Sequence, residues 1–209
     1  MKITLIEPQK KKGRYNIYID NEFSFGVYED TLVKFGLRKN DNIDEKKIME
    51  IKNYDEFNYG KKIAYNYLKY RQRSEKELRD RLRKQKISNS NIEKILTFFR
   101  NHNFINDENF AKSMIGSIMS KKPAGKKLIT QKLLQKGINK NVIFDLVELG
   151  IKDEVEEENA IILLNKYVKK LKEDPTEKKY QRAFRYLLSR GFSYDISEKA
   201  VKKILKTNY

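Results

Sequence analysis

The sequence predicts a mainly α-helical protein: three tandem three-helix repeats forming a curved array, preceded by a small N-terminal β-sheet and helix extension. Three observations lead there. Apolar residues alternate with period two as far as about residue 27, then recur with period 3.6 from about residue 56 onward. A set of apolar anchors returns three times, as Leu78–Leu82–Ile87, Ile129–Leu133–Ile138 and Ala183–Leu187–Phe192, each with steps of four and five. The formal net charge of +17 lies wholly beyond residue 57, because residues 1–57 hold 11 basic and 11 acidic side chains.

The extension, 1–57, comes first. Ile3 and Leu5 alternate on one run, Tyr15, Ile17 and Ile19 on a second, and Phe23, Phe25 and Val27 on a third, with Asp20-Asn21 as a turn between the last two. This predicts an antiparallel sheet of about three strands. The link Lys10-Lys11-Lys12-Gly13-Arg14 reads as an exposed loop or hairpin tip. Short helices at about 28–35 and 44–53 are expected to cover one face, since an isolated sheet of this size has little to bury.

The repeats are assigned to 58–106, 107–151 and 152–209. In the first, Tyr59, Ile63, Tyr67 and Tyr70 mark one helix. Ser74 and Glu77 form a capping box that opens the second, over 74–86, and Ser90 and Glu93 are read as a second box opening the third. The next trio carries Phe110, Met114 and Ile118, then Ile129 and Leu133, then Val142, Ile143, Leu146 and Val147. The last carries Ala160, Leu164, Tyr167, Val168 and Leu171, then Ala183 and Leu187, then Ile196, Ala200 and Ile204. Its middle helix opens at Asp174-Pro175-Thr176-Glu177, with a cap, a first-turn proline and a carboxylate. Gly137 and Gly191 stand where a helix ends in a left-handed residue, and Lys86 breaks that pattern in the first copy. Neighbouring three-helix units each have a small core, so stacking into an array follows.

Composition narrows the chemistry. With no cysteine there is no disulfide, thiolate nucleophile or cysteine-bound metal. No apolar stretch suits a signal peptide or a membrane span, so a soluble cytoplasmic protein is expected, without membrane contact. Neither phosphate-binding glycine motif is present, and the one histidine, His102, lies in the polar stretch Asn101-His102-Asn103 as a solvated helix-end residue. The acidic run from Asp153 to Glu158 suits a helix N-terminus better than a metal. No catalytic residue, cofactor or metal site is assigned, and the chain is read as a non-enzyme.

The basic surfaces carry more information. Lys76, Arg79 and Arg83 follow i, i+3, i+7, with Lys84 beside them and Arg71 and Arg73 just before. The second repeat offers Lys121, Lys122, Lys126, Lys127 and Lys132; the third offers Lys178, Lys179, Arg182, Arg185 and Arg190. Cations at roughly even spacing suit phosphates rather than base edges. The expected partner is therefore single- or double-stranded DNA, bound with salt sensitivity and weak sequence preference. Among the tyrosines, Tyr59, Tyr67 and Tyr70 sit on the apolar stripe and are assigned to packing. Tyr65 lies off the stripe and is the candidate for stacking on a base.

The run YLKYRQRSEKELRDRLRKQKI (67–87), with FINDENFA (104–111), KKPAGKKLITQKLLQKGI (121–138) and YLLSRGFSYDI (186–196), resembles the RecX regulators of bacterial recombination. EDTLVKFGL (29–37) resembles the extension of the longer members. Gln72 stands where the family usually has proline, Lys86 where a small residue is usual, and Ala124 precedes the usual glycine. The resemblance implies three three-helix repeats acting on a RecA-type recombinase filament, lying in its groove and suppressing ATPase, strand exchange and LexA cleavage. It implies a regulator without catalytic residues, and nothing in the chain suggests a coiled-coil oligomer, so a monomer is expected. Two rivals stay open. One is a helix-turn-helix transcription regulator built on 74–86 and 90–101, with Ser88, Asn89, Ser90 and Asn91 as base readers. The other is a nuclease using Glu156, Glu157 and Glu158.

Overall fold

Alternation becomes three antiparallel strands in the order β1-β2-β3: β1 (Ile3–Pro8), β2 (Arg14–Ile19) and β3 (Glu22–Tyr28). Asp20 and Asn21 both take positive φ, at 48° and 71°, the geometry a two-residue hairpin needs and these residue types tolerate. One face of the sheet buries Ile3, Ile17, Ile19, Phe25 and Val27 against Leu37, Ile43 and Ile51. The computed structural model describes residues 1–171 and 176–205, with the backbone alone at Thr176. The chain divides into two compact units. Unit 1 holds 1–72 and 78–104, and unit 2 holds 73–77 and 105–209.

In unit 1 the sheet is followed by α1 (Glu29–Phe35) and α2 (Glu45–Leu68). The two helices expected at 44–53 and around Tyr59 are one helix of 24 residues, capped by the Asp44 side chain on the Lys47 N–H. The change in composition near residue 57 brings no helix breaker with it. Gly60 is instead a contact: a Cβ there would lie 2.4 Å from the Ile95 side chain, so its absence lets α2 approach the third helix of the first repeat. The buried Asp55 fastens the sheet to α2 by accepting from the Tyr28 N–H (2.8 Å) and the Thr31 hydroxyl (2.6 Å).

The helix α3 (Glu75–Lys84) begins in unit 2 and continues in unit 1, where Leu78 and Leu82 are fully buried. The capping box at its start is reciprocal, Glu77 N–H to Ser74 Oγ at 3.2 Å and Ser74 N–H to the Glu77 carboxylate at 3.4 Å. The second expected box is not formed. Helix α4 (Asn89–Asn101) is capped by Ser88, two residues earlier than the expected Ser90. The reason is tertiary: Glu56 of α2 accepts from the Ser88 N–H, the Ser88 hydroxyl and the Asn91 amide, and so fixes the start of α4.

Unit 2 contains α5 (Asp107–Lys121), α6 (Lys126–Gln135), α7 (Lys140–Ile143, continuing as a π-helical segment over Phe144–Leu149), α8 (Asp153–Val168, ending in a 3-10 turn Lys169–Leu171), α9 (Thr176–Ser189) and α10 (Tyr194–Leu205). The expected cap at Asp174-Pro175 lies outside the described residues. Two cores form, one around Phe110, Ile129, Leu133 and Val147, the other around Leu164, Leu187, Phe192 and Ala200.

All nine repeat anchors are buried, the most exposed being Ile87 at 6%. The three middle helices end identically. Ile87, Ile138 and Phe192 donate their N–H to Leu82, Leu133 and Leu187, while Lys86, Gly137 and Gly191 donate to Arg83, Leu134 and Leu188. This is the Schellman pairing of a left-handed helix end, and Lys86 takes it with φ 60°, beside 79° and 82° for the glycines.

Candidate nucleic-acid interface

Four of the sequence-predicted cations tie separate segments of the fold together. Arg79 pairs bidentately with Glu93, an interaction that also holds the Glu93 carboxyl below the usual range. Lys76 donates to the Gln135 carbonyl at 2.9 Å, and its stem lies where a Cβ at Gly137 would stand. Lys126 makes a 2.7 Å bond to Asp153, which raises its own pKa and lowers that of the carboxylate. Arg190 spans to the carbonyls of Lys122 and Pro123, both at 3.1 Å. These four side chains stabilise the fold as well as carrying charge.

The rest lie toward solvent. Arg71, Arg83, Lys84, Lys121, Lys122, Lys127, Lys178, Arg182 and Arg185 are exposed, and Arg73, Lys132 and Lys179 are half-buried. On α9 the exposed Lys178, Arg182 and Arg185 lie away from the buried Ala183 and Leu187, as the helical period requires.

Unit 2 brings part of this set into one place. Lys121 and Lys122, at the end of α5, line a cleft of about 260 Å³ together with Lys166 and Lys170 from the end of α8. Its wall includes Tyr167 and Tyr186, whose rings stack at 3.9 Å and 12°. Among the described residues no carboxylate lines it. Four lysines around one concavity create a positive potential to which an anion is complementary. Lys166 and Lys170 were not among the sequence candidates. Their spacing of i, i+4 on either side of Tyr167 was the signal available, but it lies in a repeat whose acidic run masks the local excess.

Three carboxylates of the acidic run make contacts within the fold. Asp153 holds Lys126, Glu157 lies 3.5 Å from Lys203, and the buried Glu156 accepts from the Lys126 N–H at 2.9 Å. Glu156 thereby caps α6, whose own N-cap residue Gly125 has no side chain to do so. Burial pushes its carboxyl upward, partly opposed by that bond. Among the described residues no cluster of three or more His, Asp or Glu has the geometry to hold a metal, and no helix is long and apolar enough to cross a membrane.

The tyrosines divide differently from the expectation at one position: Tyr59 and Tyr67 are half-buried as assigned, and Tyr65 is 41% exposed while also making ring contacts. Tyr65 packs against Phe99 and Phe104, with ring centroids 4.7 and 5.3 Å away. Tyr70, assigned to packing, is 83% exposed. The base readers required by a helix-turn-helix are compromised too, because Asn91 is buried and both it and Ser88 face Glu56.

Comparison with known proteins runs the length of the chain. The model of the RecX N-terminal domain matches residues 1–44, and those of the first, second and third RecX three-helix domains match 61–99, 106–145 and 154–201. The regulatory protein RecX of Staphylococcus haemolyticus is 32% identical over 97% of this chain and 76% of its own. That of Leuconostoc mesenteroides is 33% identical over 99% and 77%. A crystal structure of regulatory protein RecX superposes with a TM-score of 0.70 at 32% identity, covering 98% of both chains. The RecX structure from Lactobacillus salivarius gives 0.67 at 30%, over 74% of this chain and 99% of that one.

Proposed function

The chain belongs to the RecX family of regulatory proteins, and from that premise we propose that it binds a RecA-type recombinase–DNA filament and restrains its ATPase, strand-exchange and co-protease activities. The observation that carries the proposal is the ordered match of all four RecX domains between residues 1 and 201. The chemistry of the surface supports the DNA half of it. Exposed cations on α3, α6 and α9, and the lysine cleft of unit 2, offer phosphate contacts that carry no sequence information. The protein acts without cofactor or metal, as a cytoplasmic monomer. Both single- and double-stranded DNA are within reach of such a surface.

The test is hydrolysis of ATP by a RecA-type recombinase on single-stranded DNA, with this protein titrated from far below to equal recombinase concentration. Hydrolysis is expected to fall at substoichiometric protein. A fall seen only once the DNA itself is saturated would show competition for phosphate, and the regulatory reading would be abandoned. Charge reversal belongs at Arg83 and Lys84, together with Lys166 and Lys170. At Arg79 it would set two carboxylates against each other and report on the Glu93 contact instead.

A further inference from the structure

One cleft of unit 1 is lined by side chains that the function above does not use. It has a volume of about 620 Å³ and lies among the 11–13 link, the start of α1, the second half of α2, Tyr70, and Arg81 and Gln85 at and beyond the end of α3. Its aromatic wall is built in two layers. Tyr28 and Tyr59 stack at 5.3 Å and 22°, and the Lys11 ammonium lies 5.2 and 5.4 Å from their centroids while donating to the Tyr28 hydroxyl. Further along, the Arg81 guanidinium lies 5.8 Å from the Tyr67 ring. Tyr70 then stands 83% exposed on the same cleft.

We infer that this cleft takes an unpaired nucleotide of single-stranded DNA, the base stacking on Tyr70 and the flanking phosphates lying against Lys11, Lys12, Lys62 and Arg81. The inference rests on the filament reading only in assuming that a DNA strand is at hand. Three features favour this occupant. An exposed aromatic ring beside cations is the combination that single-strand binding uses, where stacking supplies affinity and cations follow the backbone. Four cations against the two carboxylates Glu29 and Asp30 leave the lining positive, so a polyanion is complementary and a basic partner is not. The volume suits a ligand of one or two nucleotides. A duplex keeps its base faces stacked inside and has none to offer Tyr70.

The chain contains no tryptophan, so Tyr70→Trp places a single reporter on the cleft. With the full-length protein, oligothymidylate is expected to quench its fluorescence saturably, and a duplex of equal length is not. Tyr70→Ala should raise the dissociation constant for the oligothymidylate by roughly 5- to 150-fold, the range of one stacked base, and leave duplex binding unchanged. Lys12→Gln with Lys62→Gln should lower the salt slope for single strands by about 0.7 per lysine. An unquenched tryptophan with intact oligothymidylate binding would overturn the assignment of this cleft, yet leave ATPase inhibition to decide the regulatory reading separately. Equal quenching by duplex, or by thymidine monophosphate at the same base concentration, would also overturn it, in favour of a different ligand. Quenching as expected with no effect on recombinase ATPase would sink the regulatory reading and keep the cleft.

Discussion

At the scale of single residues, two side chains hold positions that cost stability. Lys86 occupies the left-handed helix end where its two counterparts are glycine. A Cβ there is unfavourable by about 1–2 kcal/mol, partly offset because glycine loses more freedom on folding. Lys86→Gly is therefore expected to stabilise the protein by up to about 1 kcal/mol in chemical denaturation; a loss of stability would mean that the lysine stem contributes packing. Glu156 is the second case. Its carboxyl is raised above the usual 4.5 by burial, so the folded state holds the proton more tightly than the unfolded state. Its contribution is then greatest below the ordinary pKa and declines as pH rises through it toward the folded value. Glu156→Gln keeps the acceptor for the Lys126 N–H without the charge. Its melting temperature relative to the parent should rise between pH 4 and pH 7, whereas Glu156→Ala should lose about 0.5–2 kcal/mol of cap at both. A difference for the glutamine variant that does not change with pH would contradict the burial argument. Asp153 runs the other way: Lys126 lowers it, so that pair helps above the ordinary 3.8 and is lost as pH falls below it.

At the scale of elements, the most demanding contact is between the loop before α6 and the end of α9. A Cβ at Gly125 would lie 2.2 Å from the Gly191 carbonyl oxygen, and one at Gly191 would lie 2.3 Å from the Leu128 backbone nitrogen. Backbone meets backbone, so no side-chain adjustment relieves it. Gly125→Ala or Gly191→Ala should each cost at least about 1–3 kcal/mol, the usual penalty of overpacking, read from the denaturation midpoint. Gly191 adds the strain of its left-handed φ of 82°. Ala124 is also buried, at 1% exposure, so a small residue suits that position as well. The neighbouring Arg190 bonds to the carbonyls of 122 and 123 and holds the same junction from outside.

At the scale of the molecule, charge is separated by task. Residues 1–57 are neutral in sum, yet their Lys11 and Lys12 line a cleft whose other cations, Lys62 and Arg81, come from α2 and α3. In unit 2 Asp153, Glu156 and Glu157 of the acidic run make internal contacts, and among the described residues no carboxylate lines the lysine cleft. Lys166→Gln with Lys170→Gln should weaken DNA binding about equally across sequences and lower the salt slope by about 1 per lysine on duplex. Arg79→Ala, which removes a partly exposed ion pair, should change stability by less than about 1 kcal/mol. If the two lysine substitutions left the salt slope untouched while Arg79→Ala reduced it, the interface would lie on α3 instead.

The sequence by itself determined the strands, the three-helix repeats, all nine anchors and the exposure of most candidate cations. Each of these follows from short-range periodicity, which a pleated strand or a 3.6-residue helix converts directly into a buried face and a wet one. The capping box at Ser74 and the helix ends at Gly137 and Gly191 were legible for the same reason, since donor and acceptor lie within six residues of each other. Only the tertiary structure decided the rest. The cap of α4 shifted to Ser88 because Glu56 reaches it from 32 residues away, and Tyr65 packs its ring on Phe99 and Phe104 while Tyr70 stands more exposed than any of the other tyrosines assigned to the stripe. Arg79, Lys76, Lys126 and Arg190 found partners 14 to 68 residues distant, and the two clefts drew their lysines from separate elements. Periodicity says which way a side chain faces on its own helix. What it faces depends on which other element packs there, and that is a property of the folded chain.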